Sequence, residues 1–122
     1  MQWLAVAAGG ALGAVCRYGL NTLVFPLLGE RFPLGTLLVN LSGSFVMGLL
    51  YVFVVDKGMP AEWRSLLMIG FLGAFTTFSA FSLDALALWQ NGHPVLSASY
   101  VFVSVAGCLA ATFTAIWLAR LL

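Results

Sequence analysis

Charge is nearly missing from this sequence. Five Lys and Arg, four Asp and Glu and one His are scattered over 122 residues, too few to solvate the surface of an ordinary soluble domain. A formal net charge of +1 with no basic run gives no field to gather a phosphate backbone, which excludes nucleic acid as a partner. The two cysteines, Cys16 and Cys108, both stand in apolar surroundings, so two buried thiols are expected rather than a disulfide or a metal cluster. His93, the single histidine, lies beside Pro94 in a turn and is expected in solvent. No basic stretch opens the chain, and its apolar run passes Val15 without a late small-residue cleavage site, so the first segment is expected to be a retained span. No nucleophile stands beside a base at any telling spacing, and no enzyme is expected.

What the chain has instead is hydrophobic residues, 62% of the total. They gather into four segments, roughly Trp3 to Leu28, Leu34 to Val55, Leu66 to Trp89 and Val95 to Leu122. Each reaches the ~20 residues that cross a hydrocarbon core as a helix. Short punctuated connections separate them: Gly29-Glu30-Arg31-Phe32-Pro33, Asp56-Lys57-Gly58-Met59-Pro60 and Asn91-Gly92-His93-Pro94. The pattern predicts one all-α membrane domain over residues 1–122, with antiparallel neighbouring spans and both ends of the chain on one side. Lys57, Arg64 and Arg120 fall on that side and Arg31 on the other, so the positive-inside bias is weak and permits insertion either way round.

The third segment holds the densest mixture of hydroxyls, rings and glycines, GFLGAFTTFSAFS from Gly70 to Ser82. Gly70 and Gly73 weaken a helix, and the Thr76-Thr77 pair can compete for backbone groups through its hydroxyls. A break is therefore predicted between Gly73 and Thr77. Such a break at membrane depth survives only where it is buried in protein or lines a watery cavity. Beyond it, Phe78 and Phe81 share a helix face, as do Ser79 and Ser82. Core packing is the competing explanation for the rings.

Polar residues in the other spans recur at helical spacing. Thr36, Asn40 and Ser44 form one stripe in the second span, and Tyr100, Ser104, Cys108 and Thr112 another in the fourth. An amide in hydrocarbon needs partners, so Asn40 is expected to face protein or water. Helix-to-helix hydrogen bonding is the plainer role for each of these residues. The first span carries Gly9 and Gly13, spaced for close helix contact. It also carries Arg17, which must face the bundle interior, a cavity or the headgroups.

The blocks GGALGAVCRYGL at 9–20, GTLLVNLSGSFVMG at 35–48 and GFLGAFTTFSAFS at 70–82, in this order in a four-span chain, resemble the small bacterial Fluc (CrcB-type) fluoride channels. The resemblance covers nearly the whole chain and is looser in the fourth span. It implies an antiparallel, dual-topology homodimer in the bacterial plasma (inner) membrane, with the third helix broken mid-membrane. It implies passive export of cytoplasmic fluoride through two pores, and a structural sodium ion at the dimer centre. The sodium would be held by the backbone carbonyls of Gly73 and Thr76 from both copies. Phe78 and Phe81 would be the pore aromatics and Asn40 the pore amide. Ser79, Ser104, Cys108 and Thr112 would be polar neighbours of the path, with Tyr100 close by. Partners are then fluoride, a second copy and membrane lipid.

The chemistry suits that implication. Fluoride is small and strongly hydrated, and a path for it must replace water with donors such as an amide NH2 or hydroxyls that turn their protons inward. Phenyl edges carry the positive part of the ring quadrupole and can face an anion. Freed backbone carbonyls suit a hard cation. Two alternatives stand against a channel. A small proton-coupled multidrug exporter needs a membrane carboxylate in the first span, which has none; Asp84 in the third is the nearest candidate. A non-transporting scaffold accounts for Gly9 and Gly13 but not for donors and phenyl edges clustered beside a break.

Overall fold

The computed structural model describes residues 1–28 and 31–122; the Gly29-Glu30 part of the first expected turn lies outside them. Among the described residues, four helical spans are long and apolar enough to cross a membrane: α1 (Gln2–Val24), α2 (Leu34–Asp56), a third over Ala61–Gln90, and α5 (Pro94–Leu121). The third consists of two helices, α3 (61–75) and α4 (Phe78–Gln90). It starts earlier than Leu66 because Pro60 sets the entry and the turn holding Glu62 and Arg64 continues the apolar helix. Proline just before a helix is well placed, since it has no N–H to leave unpaired there. Wide turns of the π type run over Leu20–Val24, Val52–Asp56 and Arg64–Leu72.

Close approach of backbones explains the pairing of the spans. α1 lies against α3, and its buried residues in Gln2–Gly19 are Gly9 and Gly13. A Cβ on Gly9 would collide with the Leu66 carbonyl, and one on Gly13 with that of Phe71. The expected small-residue contact is therefore real, and it is made with the third span. α2 packs along α5, where Gly48 leaves room for the Thr112 carbonyl, 2.6 Å from where a Cβ would stand. α4 also packs on α5, tied by the Ser97 hydroxyl donating to the Ala85 carbonyl at 2.7 Å. The core joining α2, α4 and α5 is Leu37, Phe81, Leu88 and Tyr100, with Phe32, Leu34, Leu41 and Ala85 around it.

α4 ends through Gly92, whose positive φ of 84° turns the chain back. The amides of Gly92 and His93 then bond the carbonyls of Trp89 and Leu88, at 3.2 and 2.9 Å, the paired closure that a glycine permits at a helix end. His93 is exposed there, as expected. At the other end of the bundle Arg120 donates to Asp56 Oδ2 at 2.9 Å. The chain end thus sits beside the second connection, as an even number of antiparallel spans requires. Cys16 departs from expectation. α1 buries only its glycine stripe, so the thiol lies on the exposed side of the helix; Cys108 is half-buried.

Candidate functional site

The interruption of the third span is narrower than the glycines suggested. Gly73 remains helical at φ −61° and ψ −33°, and only Thr76 (−79°, 157°) and Thr77 (−150°, 114°) are extended. Hydroxyl chemistry makes the break. Thr76 turns its Oγ1 back to the Leu72 carbonyl at 2.8 Å, where its own amide also bonds at 3.0 Å. α3 is thereby closed off. Thr77 then starts α4 as its N-cap, its Oγ1 accepting from the Ala80 amide at 3.2 Å.

Two other spans reach into this point. Asn40 of α2 accepts from the Thr77 amide at 2.8 Å through Oδ1 and donates to the Thr77 carbonyl at 3.0 Å through Nδ2. From α1, Arg17 Nε donates to the Ala74 carbonyl at 3.0 Å. The consequence falls on Gly73 and Thr76. In an unbroken helix their carbonyls would accept from the amides of Thr77 and Ala80, but those amides are given to Asn40 and to the Thr77 hydroxyl. Two carbonyls are left without helical donors, and oxygens of this kind suit a hard cation. Gly73 is exposed on the chain, where a Cβ would meet only the Met68 carbonyl, at 3.8 Å.

Beside the break runs a groove of about 370 Å³ between α2, α4 and α5. Asn40, Ser44, Thr76, Phe78, Phe81, Ser104, Cys108 and Thr112 all line it. Thus the polar stripes of the second and fourth spans face one another, as their spacing allowed. None of the lining residues is charged. The donors are not equally free. Thr112 gives its hydroxyl to the Ser44 carbonyl at 3.1 Å. Ser104 Oγ is buried, its residue 4% exposed, and it has no hydrogen-bond partner among the described residues. An unpaired buried hydroxyl is costly in a dry interior, so its setting is suited to a polar occupant of the groove.

The two phenylalanines both line the groove but differ in burial. Their centroids are 5.4 Å apart with the rings tilted by 51°. Phe81 is 8% exposed and belongs to the core, whereas Phe78 is 77% exposed at the rim of the groove. Tyr100 does not line the groove. It is fully buried behind Phe81, with centroids 5.3 Å apart, edge-on to Phe32, and its hydroxyl donates to Asp84 Oδ2 at 3.3 Å. Ser79 is exposed outside the groove, its Oγ 3.3 Å from Thr77 Oγ1, and Thr36 lies half-buried away from it.

Three roles escaped the sequence. Thr77, expected only as half of the hydroxyl pair, also caps α4, and its place three residues before Ala80 at a helix start was the available signal. Gly43 gives room to Thr76, whose Cγ2 fills the space a Cβ would need. Its position in Ser42-Gly43-Ser44 gave no hint of that partner. Asp84 holds the Tyr100 hydroxyl, a pairing that no local spacing encodes.

The family model described as CrcB-like protein, Camphor Resistance (CrcB), matches residues 4–116. Similar proteins named Fluoride-specific ion channel FluC include one from Saccharophagus degradans, 52% identical over 115 residues, 93% of this chain and 86% of that one. Another, from Coxiella burnetii, is 43% identical over 122 residues and 98% of each chain. A third, from Magnetococcus marinus, is 47% identical over 123 residues and the whole of both. This chain is a multi-pass membrane protein and belongs to the CrcB-like family.

Proposed function

We propose that the chain forms a fluoride-selective channel in the bacterial inner membrane, which lowers cytoplasmic fluoride by passive electrodiffusion. The observation that carries this reading is Ser104: a buried hydroxyl without a partner, in an uncharged groove shared with Phe78, Cys108 and Thr112. An anion there would receive hydroxyl and thiol protons and the positive edges of phenyl rings. The lack of full charges favours release as well as binding, which conduction requires. The names of the relatives above support fluoride as the ion. Fluoride crosses unchanged, so no catalytic step is involved. Hydrogen fluoride enters acidified cells as the neutral acid and dissociates inside; a membrane potential negative inside then expels the anion.

Two copies in opposite orientation would bring the third-span breaks together at mid-membrane. The freed carbonyls of Gly73 and Thr76 from each would hold a sodium ion, whose role is to fix the two copies to each other. The exposure of Gly73, Phe78 and Ser79 on one copy fits a surface completed by another. Purified protein in liposomes tests the reading. Fluoride should leave far faster than chloride and without a proton gradient. A requirement for that gradient, or equal passage of chloride, overturns it.

A further inference from the structure

Thr77 poses a satisfaction problem. It is 8% exposed and extended, so its N–H lacks the partner that a continuous helix would provide, while its C=O, at the N-cap of α4, keeps the first bond of that helix. Buried backbone groups are almost never left unpaired, least of all where lipid surrounds the chain. One side chain supplies the missing partner and adds a second bond to the carbonyl. Asn40 accepts the N–H at 2.8 Å and donates to the C=O at 3.0 Å.

We propose that Asn40 is a positioning residue: its carboxamide substitutes for a peptide group, pairs both backbone groups of Thr77, and holds the third span open at Thr76–Thr77. The residue type follows from the geometry. A primary carboxamide presents an acceptor and a donor side by side in one plane. Aspartate offers only acceptors, serine a single hydroxyl, and glutamine the right group on a longer stem. Gly43, one turn along the same helix, gives room for Thr76 to lie against α2, which brings Thr77 within reach of Asn40. The amide that Asn40 captures is the one Gly73 would otherwise accept. Asn40 therefore also decides that the Gly73 carbonyl is free.

Removing the carboxamide leaves the buried Thr77 amide unpaired and takes one bond from its carbonyl. The nearest relief is within the span itself, with the N–H returning to Gly73 and the helix healing. Arg17 of α1, bonded to the Ala74 carbonyl, resists healing at one position but offers nothing to Thr77. A groove residue would thus govern permeation through backbone geometry.

The inference concerns the break itself and rests on the channel reading only for its flux arm. The backbone arm uses isotopically labelled full-length protein in lipid bilayers, with solid-state NMR Cα and Cβ shifts of Thr76 and Thr77 as the readout. Wild type should give extended values at both. Asn40→Leu keeps the branching but loses both polar atoms. Thr77 should move to helical values while Ser97 and Tyr100, across the core, keep theirs. Loss of two hydrogen bonds should shift the open-to-healed balance about tenfold or more, and fluoride efflux from liposomes should fall with it. Should Asn40→Leu fail to fold, Asn40→Asp decides. It keeps an acceptor for the Thr77 amide, so only the Thr77 carbonyl shift should change. A folded Asn40→Leu with unchanged Thr76 and Thr77 shifts, or an Asn40→Asp in which the carbonyl shift stays put, overturns the proposal. Wild-type protein without fluoride flux would instead count against the channel reading and leave the backbone arm intact.

Discussion

Phe78 and Phe81 are alike in sequence and unlike in place, and that difference sharpens what their substitution should do. Phe81 is packed between Phe78 and Tyr100, so Phe81→Ile removes core contacts as well as a ring edge. A near volume-conserving swap of this kind costs under about 1.5 kcal/mol. Phe78 is 77% exposed on the single chain, and Phe78→Ile should change stability by no more than about 0.5 kcal/mol. If its ring edge serves a passing anion, fluoride efflux should nonetheless collapse in Phe78→Ile. Phe75, stacked on Phe71 at 5.8 Å and outside the groove, should accept the same swap with flux retained. Efflux assays paired with thermal unfolding in detergent measure both quantities. Wild-type flux in Phe78→Ile leaves this ring with a packing role only.

Thr77 belongs to the same scale. Thr77→Ala removes the side-chain cap of α4 and should lower stability by about 1 kcal/mol, whereas Thr77→Ser keeps the hydroxyl and should stay near wild type. Thermal unfolding of the two variants side by side checks the difference. Sequence reasoning identified the hydroxyl competition that breaks the span but assigned part of the break to Gly73. A glycine that weakens a helix in isolation stays helical when its neighbours keep the ladder. Nor could the sequence say which hydroxyl would be spent. Ser104 and Thr112 stand eight residues apart on one stripe, yet Thr112 bonds the Ser44 carbonyl and Ser104 bonds nothing described. Only the crossing of α2 and α5 decides that.

At the scale of elements, spans and their ends were legible because ~20 apolar residues between Gly and Pro punctuation leave few other outcomes. Partners between spans were less so. The small residues Gly9 and Gly13 announced a close contact, but not that α3 would supply it. Gly43 and Thr76 offer a direct test of such a contact. Gly43→Ala alone drives a methyl into Thr76 Cγ2, and overpacking of this sort costs about 1–3 kcal/mol. Thr76→Ser, mild by itself, removes that methyl and should restore most of the loss in the double variant. A double-mutant cycle by thermal unfolding should give a coupling of about 1 kcal/mol or more; strict additivity would place the two residues apart.

For the whole molecule, Gly73 tests the proposed dimer. Within the chain a Cβ there makes only ordinary contact with the Met68 carbonyl at 3.8 Å, so Gly73→Val should leave the monomer fold intact. Its bulk should be felt only where a second copy approaches. The expected outcome is a shift from dimer to monomer in detergent, followed by light scattering, with unchanged helix content by circular dichroism. Exchange of sodium for a large organic cation should produce the same shift in wild type. A Gly73→Val protein that dimerises and conducts normally removes Gly73 from the proposed cation site. The exposed Arg120–Asp56 pair is a peripheral tie by comparison, and Asp56→Asn should cost only about 0.2–1 kcal/mol.

The order in which a ribosome delivers the chain gives the Asn40–Thr77 pair a further consequence. α4 has 13 residues, well short of the ~20 that span a bilayer, so the broken span is poorly suited to enter the membrane as two independent helices. Entering as one apolar stretch and opening once something takes the Thr77 amide would avoid that difficulty. That acceptor lies 37 residues upstream and is therefore made first, as N-terminal elements are during synthesis. Arg17, the other side chain that reaches the break, is earlier still. Neither comes from α5. The break can form while the last helix is still inside the ribosome.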